Sequence, residues 1–284
     1  MTRWPWLVLA LALALVLGAT SCGSDDPGAA PPGDEAAVST TVGGPTTTTE
    51  PGGGDGNATG RPRVVMGGDS VMGNLVPAVD AAIGDQADIE YLAQARISGD
   101  AAARQAWADT IAEEDPDLVI IHVGSWEVLS PEFHPGVAPY DLEVLDPFIE
   151  LVTGGGARVL FVGPAAARDE QRTVNLMTFN RELIALDERN PSVDFLNAGT
   201  YVNDPTGGFT ETLPGPDGVP VRIRRTDDLG LHLCPAGVVR LATPVLSWIG
   251  EHTDPPVAPV AGWDQGDWSR PPLLDKPEQC PPVD

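Results

Sequence analysis

The chain is predicted to fold as an α/β domain, with three layers (α/β/α) built on a central, mainly parallel five-stranded sheet. Three observations predict it. Five short apolar runs, at 64–66, 89–92, 118–123, 159–162 and 193–196, alternate with helix-period segments at 100–114, 140–152, 174–188 and 236–249. Alternation of this kind builds strand-crossover-strand units, whose strands lie parallel and whose helices cover both faces. The third run, Leu118-Val119-Ile120-Ile121-His122-Val123, is apolar enough for a strand buried on both sides, and no internal repeat offers a competing architecture.

Taken in order, residues 1–21 hold one charge, Arg3, then the apolar stretch Leu7 to Leu17 and the small residues Gly18, Ala19, Thr20 and Ser21. That is the pattern of a secretory signal, and its apolar stretch is shorter than the roughly 18 to 20 residues that span a bilayer as a helix. Ala19-Thr20-Ser21-Cys22 is similar to a bacterial lipoprotein box, so Cys22 is expected to be lipidated and to anchor an extracytoplasmic protein to the cell membrane. Residues 22–62 are rich in Gly, Pro and Thr and lack aromatic residues. Such a composition cannot bury enough apolar surface to offset chain entropy, and a disordered tether is expected.

The folded domain is expected over 63–252. Its first strand, Val64-Val65-Met66, ends in Gly67-Gly68, and Pro77 predicts that the first helix begins only after a separate turn at Ser70. The later strands and helices follow the apolar runs named above. Residues 203–225, around Leu213-Pro214-Gly215-Pro216-Asp217-Gly218, read as an inserted loop or hairpin. The Pro- and Trp-rich tail, 253–284, is expected to pack on the domain, with Trp263 and Trp268 covering its surface or forming a carbohydrate-facing wall.

Sixteen Lys and Arg against 41 Asp and Glu give a formal charge of −25, which repels phosphate backbones and sets nucleic-acid binding aside. No motif for a metal or a nucleotide is present, so no cofactor is expected. With Cys22 lipidated, Cys234 and Cys280 remain, and in an oxidising compartment they are expected to pair and pin the tail to the domain.

In open parallel sheets, functional groups gather at the carboxyl ends of the strands. Ser70 stands there, in Gly67-Gly68-Asp69-Ser70, beside backbone N–H groups able to stabilise an oxyanion. Near the far end, Asp227, Asp228 and His232 lie on a loop before the last helix, supplying the base that a serine hydroxyl needs and the carboxylate that the base needs. His122 reads as a structural hydrogen-bonding residue within its strand, and His134 and His252 as surface residues.

Together these blocks resemble the SGNH/GDSL hydrolase superfamily, with its flavodoxin-like sheet, over about 64–249. The resemblance implies that Ser70 is the nucleophile, that its N–H and that of Gly99, in Arg96-Ile97-Ser98-Gly99-Asp100, form the oxyanion hole, and that His232 is the base. Two departures stand out. The third block reads Gly124-Ser125-Trp126-Glu127 where the family has Gly-x-Asn-Asp, so tryptophan replaces an oxyanion donor. A Gly-x-Trp block is similar to SGNH domains associated with bacterial envelope O-acyltransferases, and implies that Gly124 and Trp126 line the substrate pocket. The family aspartate falls three residues before the histidine, where this chain has Leu229. Asp228 is expected to partner His232, with Gly230 absorbing a one-residue bulge; Asp227, with Arg225 offering it a surface ion pair, is the alternative, and a serine-histidine dyad a third.

The expected activity is serine esterase action on a small acyl ester, of an envelope or extracellular glycan. O-acyl transfer to such a glycan and a catalytically weak envelope-binding module are the rival readings.

Overall fold

The computed structural model describes residues 60–93, 95–97, 101–129, 144–270 and 275–283. The signal, lipidation and most of the tether expectations, and Gly99, lie outside the described residues. The strands are β1 (Arg63–Gly68), β2 (Asp88–Leu92), β3 (Leu118–His122), β4 (Arg158–Gly163) and β5 (Val193–Asn197). They form one sheet in the order β2-β1-β3-β4-β5, and each neighbouring pair is parallel. This is the sheet that the alternation predicts, and every residue of β3 is buried.

The helices are α1 (Ser70–Ile83), α2 (Ala101–Glu114), α3 (Asp146–Thr153), α4 (Glu170–Arg189), α5 (Gly199–Val202) and α6 (Pro235–Glu251). The chain steps from β1 to β2 in one direction across the sheet and from β2 through β5 in the other. Right-handed crossovers therefore put α1 on one face and α2 to α4 on the opposite face. In keeping with this, α1 packs on α6, while α2 packs on α3 through Trp107 and Phe148, an edge-to-face pair with centroids 5.4 Å apart.

One expectation about the first helix fails. Helix α1 starts at Ser70 itself and carries Pro77 inside it. The missing Pro77 N–H costs one helical bond, but Asp69 caps the helix and Val71, Met72, Leu75, Ala78, Val79, Ala82 and Ile83 bury its apolar face. The 203–225 segment contains a short antiparallel hairpin, β6 (Thr212–Pro214) with β7 (Pro220–Arg222).

The tail is tied down at several points. Cys234 is disulfide-bonded to Cys280, the Thr226 N–H donates to the Gln279 carbonyl at 2.9 Å, and Arg222 Nε donates to the Pro281 carbonyl at 2.8 Å. Trp268 is buried and Trp263 is half-buried against the core, so in this structure both serve packing.

Candidate active site

Strand order reverses between β1 and β3, and in open α/β sheets the crevice beyond the carboxyl ends at such a point is where ligands bind. Residues leaving β1 and β3 therefore face a common site. The turn after β1 is clipped to β3 twice: the Asp69 N–H donates to the His122 carbonyl at 2.9 Å, and the His122 Nδ1–H donates to Asp69 Oδ1 at 2.8 Å. The same Oδ1 accepts the Val71 N–H at 2.9 Å, which makes Asp69 the N-cap of α1. Only glycine fits before it, because Gly68 has φ +133° and a Cβ there would lie 1.9 Å from the His122 carbonyl oxygen.

Asp69 is fully buried. Burial raises its pKa, but the charge and hydrogen bond of His122, the Val71 amide and the Ser125 hydroxyl outweigh that and hold the carboxyl below its ordinary value. The pair is thus a fixed hydrogen-bonded clip beneath the nucleophile candidate. His122 has the structural hydrogen-bonding place read from the sequence.

Ser70 is exposed at the first position of α1, where its backbone N–H is one of the donors that a helix leaves unpaired. Its hydroxyl lies 2.8 Å from His232 Nε2, and His232 Nδ1 lies 2.7 Å from Asp227 Oδ2. A carboxylate only accepts, so Nδ1 carries the proton and Nε2 is left to accept from the Ser70 hydroxyl. The three side chains form one hydrogen-bonded chain.

The carboxylate in that chain is Asp227, not Asp228. Asp228 is exposed and has no hydrogen bond among the described residues, so the favoured pairing is corrected. The reason is a turn: the Gly230 N–H donates to Asp227 Oδ1 at 2.6 Å, with Gly230 at φ +63°, and this curl carries Asp227 under the imidazole. The glycine does absorb the extra length, but by tying back to Asp227. Arg225, expected on the surface beside Asp227, is instead buried and pairs with Asp275 at 3.1 Å.

The loop that carries this pair is held from several sides. The Arg168 N–H donates to the Leu229 carbonyl at 3.1 Å, the Leu233 N–H donates to Asn74 Oδ1 at 3.2 Å, and the ring of Phe209 packs against Gly230. The disulfide at Cys234 lies two residues beyond His232.

Beyond β3, Glu127 joins the two flanking loops. Its Oε2 accepts the Gly124 N–H at 2.7 Å and its Oε1 the Ile97 N–H at 3.3 Å, and burial pushes its pKa above the ordinary value. Trp126 is 44% exposed, with the Arg96 guanidinium 4.3 Å from its ring centroid. The segment after β3 therefore presents an exposed indole with a cation over its ring. Among the described residues, no group of three or more His, Cys, Asp or Glu side chains could hold a metal ion.

Sequence reasoning missed Glu127, Asn74 and Arg224, whose Nη1 donates to the Gly230 carbonyl at 2.9 Å, as parts of this assembly. The single charge among Val123 to Leu129, and adjacent arginines in a strongly acidic chain, are signals that could have found two of them. Asn74 left none.

A family model described as a protein of unknown function (DUF459) matches residues 137–248, which include Asp227 and His232. No curated protein sequence matches the chain at a significant level. Among solved structures, a GDSL-like lipase from Bacteroides thetaiotaomicron superposes with a TM-score of 0.51 at 16% identity, over 68% of this chain and 89% of the lipase. The periplasmic domain of a lipopolysaccharide acetyltransferase from Salmonella ser. Paratyphi A gives 0.48 at 15%, over 66% and 84%. A catalytic mutant of an acetylxylan esterase from Geobacillus stearothermophilus also gives 0.48 at 15%, over 66% and 94%. The chain has the α/β fold of the GDSL-like lipase, as its sequence blocks imply.

Proposed function

We propose that this chain is a serine acyl-ester hydrolase acting on a small acyl ester, carried by a glycan of the cell envelope or its surroundings. The observation that carries the reading is the hydrogen-bonded series Ser70, His232, Asp227, with 2.8 and 2.7 Å links, at the switch point of the sheet. In the proposed reaction, Ser70 Oγ attacks the ester carbonyl while His232 Nε2 takes its proton. Asp227 holds the imidazole tautomer and stabilises the imidazolium. His232 then protonates the departing alkoxide, and water, activated by the same nitrogen, releases the acid from the acyl-enzyme.

The oxyanion is assigned to the Ser70 N–H at the start of α1 and, on the family resemblance, to the Gly99 N–H. Trp126 replaces the family's asparagine donor, and loss of one such donor costs about 2.7 to 4 kcal/mol in the barrier. Turnover of generic esters is therefore expected to be slow. The exposed Trp126 ring with Arg96 beside it supports a sugar ring as the group that carries the ester, since an aromatic face and a cation suit its C–H and hydroxyl surfaces. The names of the GDSL-like lipase and the acetylxylan esterase agree with ester hydrolysis, and that of the lipopolysaccharide acetyltransferase domain with acyl transfer. Transfer would use the same acyl-enzyme, with a sugar hydroxyl in place of water. The lipoprotein-like block at Cys22 and the Gly-, Pro- and Thr-rich composition of 22–62 support a position outside the cytoplasm, anchored at the membrane surface.

The test is a fluorophosphonate label followed by mass mapping, with nitrophenyl esters of graded chain length, with and without glycan acceptors. Label on Ser70, and loss of both label and turnover in Ser70→Ala at a melting temperature within a few degrees of wild type, are the expected results. An unlabelled Ser70 in folded protein would favour the binding-module reading. Acylated acceptor in place of free acid would make the enzyme a transferase.

A further inference from the structure

Arg224 is fully buried, and its guanidinium uses every N–H it has on neutral oxygens. Nη1 donates to the Ala166 carbonyl at 2.8 Å and the Gly230 carbonyl at 2.9 Å. Nη2 donates to the Val202 carbonyl at 3.0 Å and Asn203 Oδ1 at 2.7 Å, and Nε to the Val202 carbonyl at 3.3 Å. Among the described residues no carboxylate is ion-paired with it. A buried cation without a paired anion is costly, and an apolar side chain of similar volume would fill the space without that cost. What the cation does have is an alignment with the site: it grips the Gly230 carbonyl, the Gly230 N–H grips Asp227, and Asp227 grips His232. The peptide groups on both sides of the left-handed Gly230 are held by these two charged residues. Burial lowers the guanidinium pKa to about 10, with the charge of Asp227 acting in the opposite sense, and a group with that value is still a cation at neutral pH.

We propose that Arg224 is the positioning residue of the site, acting through Gly230 to set Asp227 against the imidazole of His232. It ties that loop to Ala166, beyond β4, and to Val202 and Asn203, at the end of α5. The inference rests on Asp227 and His232 being the working pair. Lysine is a demanding test, since it keeps the charge but carries three donors on one nitrogen and cannot span these acceptors together.

The experiment is a double-mutant cycle on the full chain, using Arg224→Lys, Asp227→Asn and the double variant, with kcat and KM for nitrophenyl acetate, melting temperature, and the 15N spectrum of His232, assigned by its loss in His232→Gln. Expected for Arg224→Lys is a fall in kcat of about tenfold or more with KM within about twofold, and less than about twofold further change in the Asp227→Asn background. A kcat within twofold of wild type overturns the proposal, and so does a tenfold loss that persists undiminished without Asp227, because the effect is then general to the fold. If Arg224→Lys does not fold, Asn203→Ala removes one of its acceptors and the same cycle applies. If the wild-type chain hydrolyses no ester, the spectrum decides. His232 ring 15N signals displaced from their wild-type positions in Arg224→Lys, as in Asp227→Asn, support the positioning role, and unchanged signals in Arg224→Lys refute it.

Discussion

Replacing Asp227 by asparagine tests the arrangement most directly, because both oxygens of its carboxylate are committed. Oδ1 accepts the Gly230 N–H at 2.6 Å, and Oδ2 accepts the His232 Nδ1–H at 2.7 Å. Asparagine has one acceptor. If its oxygen stays on Gly230, its NH₂ group confronts Nδ1 and favours the tautomer with the proton on Nε2, which then cannot take the proton of Ser70. If it turns the other way, two donors face each other at the Gly230 amide. Loss of the orienting carboxylate cost about 10⁴ in turnover in a serine protease, which corresponds to about 5.4 kcal/mol at 1.36 kcal/mol per decade. A similar loss is expected here. Asp228 is exposed and outside this network, so Asp228→Asn should stay within about 0.5 kcal/mol, or roughly twofold in rate. The assay is steady-state turnover of nitrophenyl acetate, normalised to active sites by fluorophosphonate titration, with melting temperature as the control for folding. A larger loss at Asp228 than at Asp227 would refute the assignment. An Asp227→Asn rate within about tenfold of wild type would leave a serine-histidine dyad.

Gly230→Ala should cost about 2 to 4 kcal/mol, combining left-handed strain with overpacking, since a Cβ there would lie 2.3 Å from the Phe209 ring at φ +63°; an unchanged thermal midpoint would contradict the geometry. Cys280→Ser opens a loop of sequence separation 46 and is expected to cost about 4 kcal/mol on the chain-entropy account, read as a lower denaturant midpoint. Asp69 has a lowered folded-state pKa, so its contribution to stability is present above its unfolded value of about 3.9 and is lost as the pH falls through the folded value. Asp69→Asn should therefore lower stability at neutral pH, through the weakened cap and His122 contact, while losing less of it in acid. Equal steepness of the two acid-unfolding curves would remove Asp69 from the titration.

Much of this molecule is decided locally. Short strands and helix-period segments in alternation require a covered parallel sheet, because each strand must bury its apolar residues and each crossover must return by a helix. Gly67-Gly68-Asp69-Ser70 after the first apolar run marks the nucleophile candidate, since chain order alone carries Ser70 past the carboxyl end of β1. His232, on the loop before α6, was legible in the same way.

Other features depend on tertiary contacts. Pro77 suggested a break that the cap at Asp69 and the buried face of α1 override. Adjacent acids at 227 and 228 are chemically alike, and their spacing from His232 favoured the wrong one. The choice is made by Gly230 folding back onto Asp227, while Arg224 holds its carbonyl from the core. The other acceptors of Arg224 come from Ala166 beyond β4 and from Val202 and Asn203 at the end of α5, and no reading of 225–237 alone contains them. Local pattern determines where a side chain emerges from a sheet; which of two neighbouring carboxylates meets an imidazole is decided by hydrogen bonds between segments far apart in the chain.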